Sequence, residues 1–153
     1  MSGERPLQDL LSEVQEGRLT MRFGGTVRVD AEEFVYIERE CETFKLLIRE
    51  LQSVATDISE REVWGLGEAV AELVSAQTLV RRFREKGQGS DNSVFAVLEE
   101  HYKIVDDLQL LHRAIAERYQ ATDTEFASYY QELLAADPAP GTPGGGDTPA
   151  ERV

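Results

Sequence analysis

The chain contains few of the residues on which disulfide-bonded, membrane-spanning and nucleic-acid-binding proteins depend. One cysteine, Cys41, stands among 153 residues, so no disulfide can form within the chain. It falls among apolar positions, and we interpret it as a small core residue rather than a reactive thiol. No run approaches the ~20 apolar residues that a membrane-spanning helix needs, and no apolar signal-peptide core follows Met1. We therefore expect no membrane insertion and a cytoplasmic location, with export without a cleaved signal peptide left open.

Positive charge is also scarce. Lys and Arg number 16 against 29 Asp and Glu, which gives a formal net charge of −13. Binding to a phosphate backbone or to an anionic membrane surface needs clustered positive charge. We therefore expect no nucleic-acid partner, and the excess of acid favours either plain solubility or a basic protein partner.

The sequence offers no convergent catalytic or metal-binding groups. His101 and His112 share a helix face but lie roughly 16 Å apart, too far to chelate one metal ion. Glu38, Glu42 and Glu100 could join a metal site in a bundle core, yet the Glu-x-x-His pattern of such sites is missing. We find no phosphate-binding loop and no nucleophile–base pair. The prediction is a protein that is not an enzyme and carries no cofactor.

Two heptad patterns dominate what is present. Asp30 with Glu33 indicates a capped helix start, and a helix over 31–58 then carries apolar residues at alternating steps of three and four. Its members are Phe34, Ile37, Cys41, Phe44, Ile48, Leu51, Ala55 and Ile58. A helix over 92–120 has the same spacing in Val94, Val97, His101, Ile104, Leu108, Leu111 and Ile115. Neither stripe can be buried by its own helix, so each must pack on other helices of this chain or on a partner. We interpret His101 as a hydrogen-bonded core histidine, with a pH sensor or ligand as the alternative.

The remaining segments complete the predicted fold. Residues 7–29 predict a short helix followed by a small β-hairpin around Gly24–Gly25, and helices are expected over 60–86 and 123–135. Residues 137–153 are rich in proline and glycine and should be disordered. The fold class is therefore all-α: one domain over residues 1–136, an antiparallel helical bundle built on a long hairpin of 31–58 against 60–86.

A basic cluster ends the helix predicted over 60–86. It consists of Arg81, Arg82, Arg84 and Lys86, followed by Gly87. Basic residues near a helix C-terminus complement its dipole, and glycine commonly ends a helix. The alternative is a docking patch for an acidic partner.

The only tryptophan, Trp64, stands between the two predicted hairpin helices with Gly65 and Gly67 beside it. In this the chain resembles the Trp-x-Gly helical-hairpin proteins, substrates of the actinobacterial type VII (ESX) secretion systems. The glycines here stand at positions +1 and +3. The resemblance implies two antiparallel helices that dimerise into a four-helix bundle. Runs such as "WGLGE", "LVRRF" and "HYKIVDD" are similar to an uncharacterised actinobacterial group.

The resemblance also implies an export motif, Tyr-x-x-x-Asp/Glu, after the second helix. Tyr119 with Asp123 fits this spacing near a helix end, and Tyr102 with Asp106 fits it within a helix. We therefore expect a non-enzymatic protein that binds a protein partner, as a homodimer or heterodimer, through helix packing. The alternative is a cytoplasmic acidic adaptor or chaperone-like scaffold for a basic client. Trp64 is either a structural plug at the bundle end or a recognition element.

Overall fold

The computed structural model describes residues 5–18 and 30–136, which form five α-helices. They are α1 (Gln8–Gln15), α2 (Ala31–Glu60), α3 (Val74–Gly87), α4 (Val94–Thr122) and α5 (Thr124–Ala135). The described residues contain no strand, which confirms the all-α prediction for this part of the chain. The predicted β-hairpin within 19–29 and the predicted tail at 137–153 lie outside the described residues. Within the described ranges, no helix has the length and apolar character needed to cross a membrane.

The two longest helices, α2 and α4, pack against each other in antiparallel orientation. Gln52, near the end of α2, donates a hydrogen bond of 3.2 Å to the carbonyl oxygen of Phe95, at the start of α4. At the other end of the pair, Arg113 Nε donates to the Glu38 carboxylate over 2.8 Å. Each helix begins at a side-chain cap, Asp30 for α2 and Ser93 for α4.

The structure differs from the predicted long hairpin, because the helix expected over 60–86 is shortened to Val74–Gly87. Residues 61–73 are not helical, and α3 begins at Val74. Gly65 and Gly67 adopt φ values of 73° and 90°, in the left-handed region that interrupts an α-helix. The long antiparallel partner of α2 is therefore α4, while the shorter α3 packs on the C-terminal end of α2.

An aromatic core joins α5 to the N-terminal end of α2 and the C-terminal end of α4. Its buried members are Ala31, Val35, Ala116, Phe126 and Tyr130. Half-buried Phe34 extends it, with its ring edge-on to that of Phe126 at a centroid distance of 5.8 Å. Such edge-to-face pairs add to the stabilisation that area burial provides.

The N-terminal helix is held by polar contacts to α4. Asp107 is fully buried and accepts a hydrogen bond of 2.9 Å from the backbone N–H of Leu7. Arg5 pairs with both Asp106 and Asp107. The predicted helix within 7–29 is thus present as α1 and is anchored at its start.

Candidate partner-binding face

One side of the α2–α4 pair is apolar and open to solvent. We call it the open face and define it by nine side chains that are 38–53% exposed: Phe44, Leu47, Leu51, Val54 and Ile58 of α2, and Val94, Val97, Ile104 and Leu108 of α4. Single exposed apolar side chains are normal on proteins, but a contiguous stripe on two adjacent helices is typical of surfaces at which proteins interact. The open face is therefore the strongest functional feature of the described residues.

The open face exists because the predicted heptad stripe of α4 does not point at α2. The α4 residues buried beside α2 include Val105, Gln109 and Ala116, which lie on a different side of the helix. Gln109 donates a hydrogen bond of 2.7 Å to the Glu38 carboxylate, and Gln52 donates one of 2.9 Å to Glu99. The contact between the two long helices is therefore partly polar, and the apolar stripe of α4 is left outside.

Two grooves lie along the open face. The first is about 430 Å³ in volume and lies between α2, α3 and α4, with Trp64 and Phe83 in its wall. The second is about 450 Å³ in volume and is lined by residues of α2 and α4 that include Ile37, Phe44 and Leu108. Both are apolar, which suits insertion of side chains from a partner rather than catalysis on a polar substrate.

Trp64 forms part of the wall of the first groove. Its ring stacks on Phe83 with a centroid distance of 5.5 Å and an interplanar angle of 28°. The Arg61 guanidinium lies 5.7 Å from the centroid of the indole. The indole N–H is buried and has no hydrogen-bond partner. Trp64 therefore supports the fold of the connection and also borders the open face, so both of its predicted roles stay open.

A carboxylate clamp fixes the connection that carries Trp64. Glu68 accepts hydrogen bonds from the backbone N–H groups of Trp64, Gly65 and Leu66, the last two at 3.1 and 2.9 Å. These N–H donors lower the pKa of the Glu68 carboxyl from 4.5 to about 2, because they stabilise its charged form. The positive φ values of Gly65 and Gly67 bring the three donors round to one carboxylate.

Tyr119 and Asp123, the best-placed residues of the expected export motif, have structural contacts. The Tyr119 ring packs against Phe34 and Phe126 at centroid distances of 6.1 and 5.8 Å. Asp123 caps α5 by accepting a hydrogen bond of 3.0 Å from the N–H of Phe126. Tyr119 therefore packs against the aromatic core, and Asp123 caps the helix that contributes Phe126 to it.

The second Tyr-x-x-x-Asp pair, Tyr102 and Asp106, lies on the polar side of the α2–α4 contact. The Arg49 guanidinium stacks 3.7 Å from the centroid of the Tyr102 ring. Asp106 accepts a hydrogen bond of 3.2 Å from Lys45 and pairs with Arg5. The two residues are thus engaged with basic side chains that join α1, α2 and α4.

The four basic residues at the end of α3 do not form a uniform patch. Arg81 and Arg82 are exposed. Arg84 Nη2 donates to the carbonyl oxygens of Arg61 and Glu62, at 2.8 and 3.0 Å. Lys86 donates to the Asn92 side chain over 2.7 Å. Two of the four therefore tie α3 to its flanking connections, which agrees with the structural interpretation for those two.

The two histidines occupy different environments. His101 is exposed on the same side of α4 as the open face, and its Nδ1 lies 2.8 Å from the Val97 carbonyl oxygen. The interpretation of His101 as a core residue is therefore wrong, because the heptad stripe to which it belongs is open. His112 is half-buried against the Phe34 ring at 5.0 Å, and burial lowers the pKa of its imidazole.

The carboxylates considered for a metal site are paired with cations. Glu38 is bound by Arg113, Glu42 by Lys45, and Glu100 by Lys103. Among residues 5–18 and 30–136, no group of three or more His, Cys, Asp or Glu side chains is placed to hold a metal ion. Cys41 is half-buried beside the second groove, and burial raises the pKa of its thiol.

Sequence reasoning missed Glu68 and Phe83 as parts of the site. The signal for Glu68 was an acidic residue directly after two closely spaced glycines, a pattern in which free N–H groups need an acceptor. Phe83 gave no signal for its place beside Trp64, since their contact depends on the path of residues 61–73. No family model, curated protein or solved structure matches this chain.

Proposed function

We propose that this protein is a non-enzymatic helical protein that acts by binding a protein partner through the open face. The observation that carries this proposal is the half-exposed apolar stripe on both α2 and α4. From Phe44 to Ile58 the stripe is about 21 Å long, since each helical residue adds about 1.5 Å. Covering it removes apolar surface from water and so favours association.

Helix packing is the mode of binding that the spacing supports. Phe44, Leu47, Leu51, Val54 and Ile58 recur at steps of three and four, and the open residues of α4 follow the same spacing when the exposed His101 between them is included. Such stripes accept the ridges of another helix between them. The partner is either a second copy, giving a homodimer, or a different helical protein, giving a heterodimer.

The direct test places a photo-crosslinking amino acid at Leu51 or Val97, in cells that naturally make the protein. We expect adducts with one defined protein at both positions, because both lie near the middle of the open face. The control is the same amino acid at Leu46, which is 60% exposed and lines neither groove. Equal labelling at Leu46, or no adduct at any position, would contradict the proposal.

Solution mass provides the second test. Light scattering across a dilution series should be run on the wild type, Trp64→Ala and Leu51→Glu. A homodimer should dissociate on dilution, and both substitutions should weaken it. A heterodimer leaves the isolated protein monomeric, and the crosslinking experiment then identifies the partner.

We further propose that the partner-binding activity belongs to type VII (ESX) secretion, as a substrate or accessory protein. What supports this is the resemblance around Trp64, together with the position of Trp64 beside an open apolar groove. The test is export of a double variant, Tyr119→Phe with Asp123→Asn. It keeps the aromatic packing and the helix cap while removing the hydroxyl and the carboxylate, because asparagine caps helices as well as aspartate does.

The matched control for export is Tyr36→Phe with Glu40→Gln, a pair with the same spacing whose residues are both exposed. We expect export to fall in the Tyr119/Asp123 variant and to persist in the control. Unchanged export of both variants, or failure of the wild type to leave the cell, would remove the secretion proposal and leave partner binding to be judged by crosslinking.

A further inference from the structure

We infer that the occupant of the open face is a single amphipathic helix from another protein, with basic residues flanking its apolar stripe. This inference rests on the proposed function and specifies the chemistry of the partner. Three observations carry it: the arrangement of the two grooves, the charge of the residues that flank the apolar stripes, and the net charge of the chain.

The grooves lie one after the other along the α2–α4 pair. The first includes Leu51, Val54 and Ile58, and the second includes Phe44 and Leu47. A partner helix laid along the pair would place successive apolar side chains in both, since its own stripe also advances by three and four residues. About 14 residues, or four turns, span the distance from Phe44 to Ile58.

The first groove is also bounded at one end. Phe83, Lys86 and Gly87 of α3 line it together with Trp64, beside the α2 and α4 residues. α3 and the 61–73 connection thus form a wall at the C-terminal end of α2. A single helix that begins or ends against this wall fits between α2 and α4 along the rest of the open face.

The flanks of the open face are acidic. The position considered is the one directly before a residue of the apolar stripe, at the edge of the seam. On α2, Glu50 precedes Leu51 and Asp57 precedes Ile58. On α4, Glu100 precedes His101, and all three acids are exposed. The equivalent residues before Phe44 and Val94 are Thr43 and Ser93, which are neutral. The equivalent residue before Leu108 is Asp107, which is buried and paired with Arg5. On α4, Lys103 directly precedes Ile104 and pairs with Glu100. The acidic character of the flanks therefore comes mainly from Glu50 and Asp57 of α2.

Flanking charges of this kind select the partner. In packed helices, residues at the edge of the apolar seam lie opposite each other, so an acidic edge favours lysine or arginine on the other helix. A second copy would bring its own Glu50, Asp57 and Glu100 to the interface. Each copy also carries a net charge of −13, which opposes self-association. Charge therefore favours a basic helix of a different protein over a second copy.

The test uses two fluorescent helical peptides of about 21 residues that share leucines at the two seam positions of three heptads. One has lysine at the flanking positions and the other has glutamate. Binding to the full-length protein is measured by fluorescence anisotropy at low and at high salt. We expect the lysine peptide to bind about tenfold tighter or more, with a preference that weakens as salt screens the charges.

Charge-reversal variants show whether the flanks cause this preference. Glu50→Lys, Asp57→Lys and Glu100→Lys together should abolish or invert it. A matched control reverses three exposed acids that line neither groove: Glu13, Glu117 and Glu132. The control should keep the preference, because the overall change in net charge is the same in both triple variants. Equal loss in both would assign the preference to net charge and overturn the inference.

The remaining outcomes separate the inference from the proposed function. If the wild type binds neither peptide but forms a dimer that Leu51→Glu disrupts, the occupant is a second copy and the inference is wrong while partner binding stands. If the glutamate peptide binds as well as the lysine peptide, the acidic flanks do not select the partner. If the protein neither binds a peptide, nor self-associates, nor gives crosslinked adducts at Leu51 and Val97, the proposed function itself fails.

Discussion

At the scale of single residues, Gly87 shows how one missing side chain sets the position of a helix. It is the last residue of α3 and is buried against the backbone of α2. A Cβ atom placed there would lie 2.8 Å from the carbonyl oxygen of Ala55 and 3.3 Å from the backbone nitrogen of Ser59. Backbone atoms within a helix have little freedom to move aside, so the close approach of α3 to α2 requires glycine.

We therefore expect Gly87→Ala to destabilise the protein by roughly 1–3 kcal/mol, the usual cost of overpacking a tight contact. The measurement is urea unfolding followed by circular dichroism. Ser75→Ala is the control, because Ser75 is exposed in the same helix and should change the free energy of unfolding by no more than about 0.5 kcal/mol. A neutral or stabilising Gly87→Ala would show that α3 does not lie this close to α2.

Glu68 gives a prediction for the connection that holds Trp64. Its pKa in the folded protein, about 2, is lower than its ordinary value of 4.5, so the folded state binds fewer protons at this carboxyl. The stabilisation is therefore complete above pH 4.5 and is lost as the pH falls towards 2. We expect hydrogen exchange at the amides of Gly65 and Leu66, relative to intrinsic rates, to accelerate over this range. In Glu68→Gln the same amides should exchange faster at neutral pH, with the pH-dependent step removed.

Among the helices, α1 is attached to α4 in part through one buried carboxylate. Asp107 accepts from the Leu7 N–H and from Arg5 at the start of α1. Asp107→Ala removes the acceptor of the Leu7 N–H and one of the two carboxylates that bind Arg5, which also pairs with Asp106. Because both donors are only half-buried, the expected cost is roughly 1 kcal/mol. We expect α1 to exchange its amide hydrogens faster while α2 and α4 keep their helical circular dichroism.

Asp9→Ala is the control for α1, since Asp9 is exposed on the same helix. It should leave the exchange rates of residues 5–18 within the range of the wild type. If Asp107→Ala behaves like this control, α1 is held by its apolar contacts, among them buried Leu11, rather than by the carboxylate.

α4 is the element on which the candidate site depends. One of its sides carries Val105, Gln109 and Ala116 towards α2, and another carries Val94, Val97, Ile104 and Leu108 to the open face. The sequence shows the second stripe more clearly because all four of its members are large and apolar. The buried side is harder to read, since it includes a glutamine that is buried through hydrogen bonds to Glu38.

For the whole molecule, one group with a lowered pKa and two groups with raised pKa values define the pH range in which the protein is most stable. Burial lowers the pKa of His112 from 6.5, so the folded state binds fewer protons there and stability falls as the pH drops below 6.5. Burial raises the pKa of Cys41 from 9.0 and that of Tyr130 from 10.0, so stability falls as the pH rises above these values. We expect the free energy of unfolding to be highest between about pH 7 and 9.

Denaturant titrations from pH 3 to 11 measure this profile. His112→Phe should flatten its acidic side near pH 6, because an aromatic ring without a titrating nitrogen still packs against Phe34. Cys41→Ala should reduce the fall above pH 9. An acidic side that keeps its slope near pH 6 in His112→Phe would assign the effect to other groups.

Three of the helices could be predicted from sequence patterns alone, because periodicity and caps act over a few neighbouring residues. The helices predicted over 31–58, 92–120 and 123–135 correspond to α2, α4 and α5, with ends that differ by at most two residues. Asp30 fixed the start of α2 in the same way. The sequence also identified Trp64 and its two glycines as an unusual point in the chain, although it did not show that residues 61–73 leave the helix.

Which of the apolar stripes is buried depends on how the helices pack against each other. A heptad pattern states that a surface is apolar, but it does not state which helix of the chain lies against it. Here the long antiparallel partner of α2 is α4, while only residues 74–87 of the predicted 60–86 helix pack on α2, and the α2–α4 pairing uses a partly polar side of α4. The apolar stripe of α4 from Val94 to Leu108 therefore remains half-exposed, with His101 at the surface, whereas Ile48 and Ala55 of the stripe predicted on α2 are buried. The physical reason is that burial depends on the path of the connections, above all residues 61–73, whose course is set by Glu68 and by two glycines with positive φ.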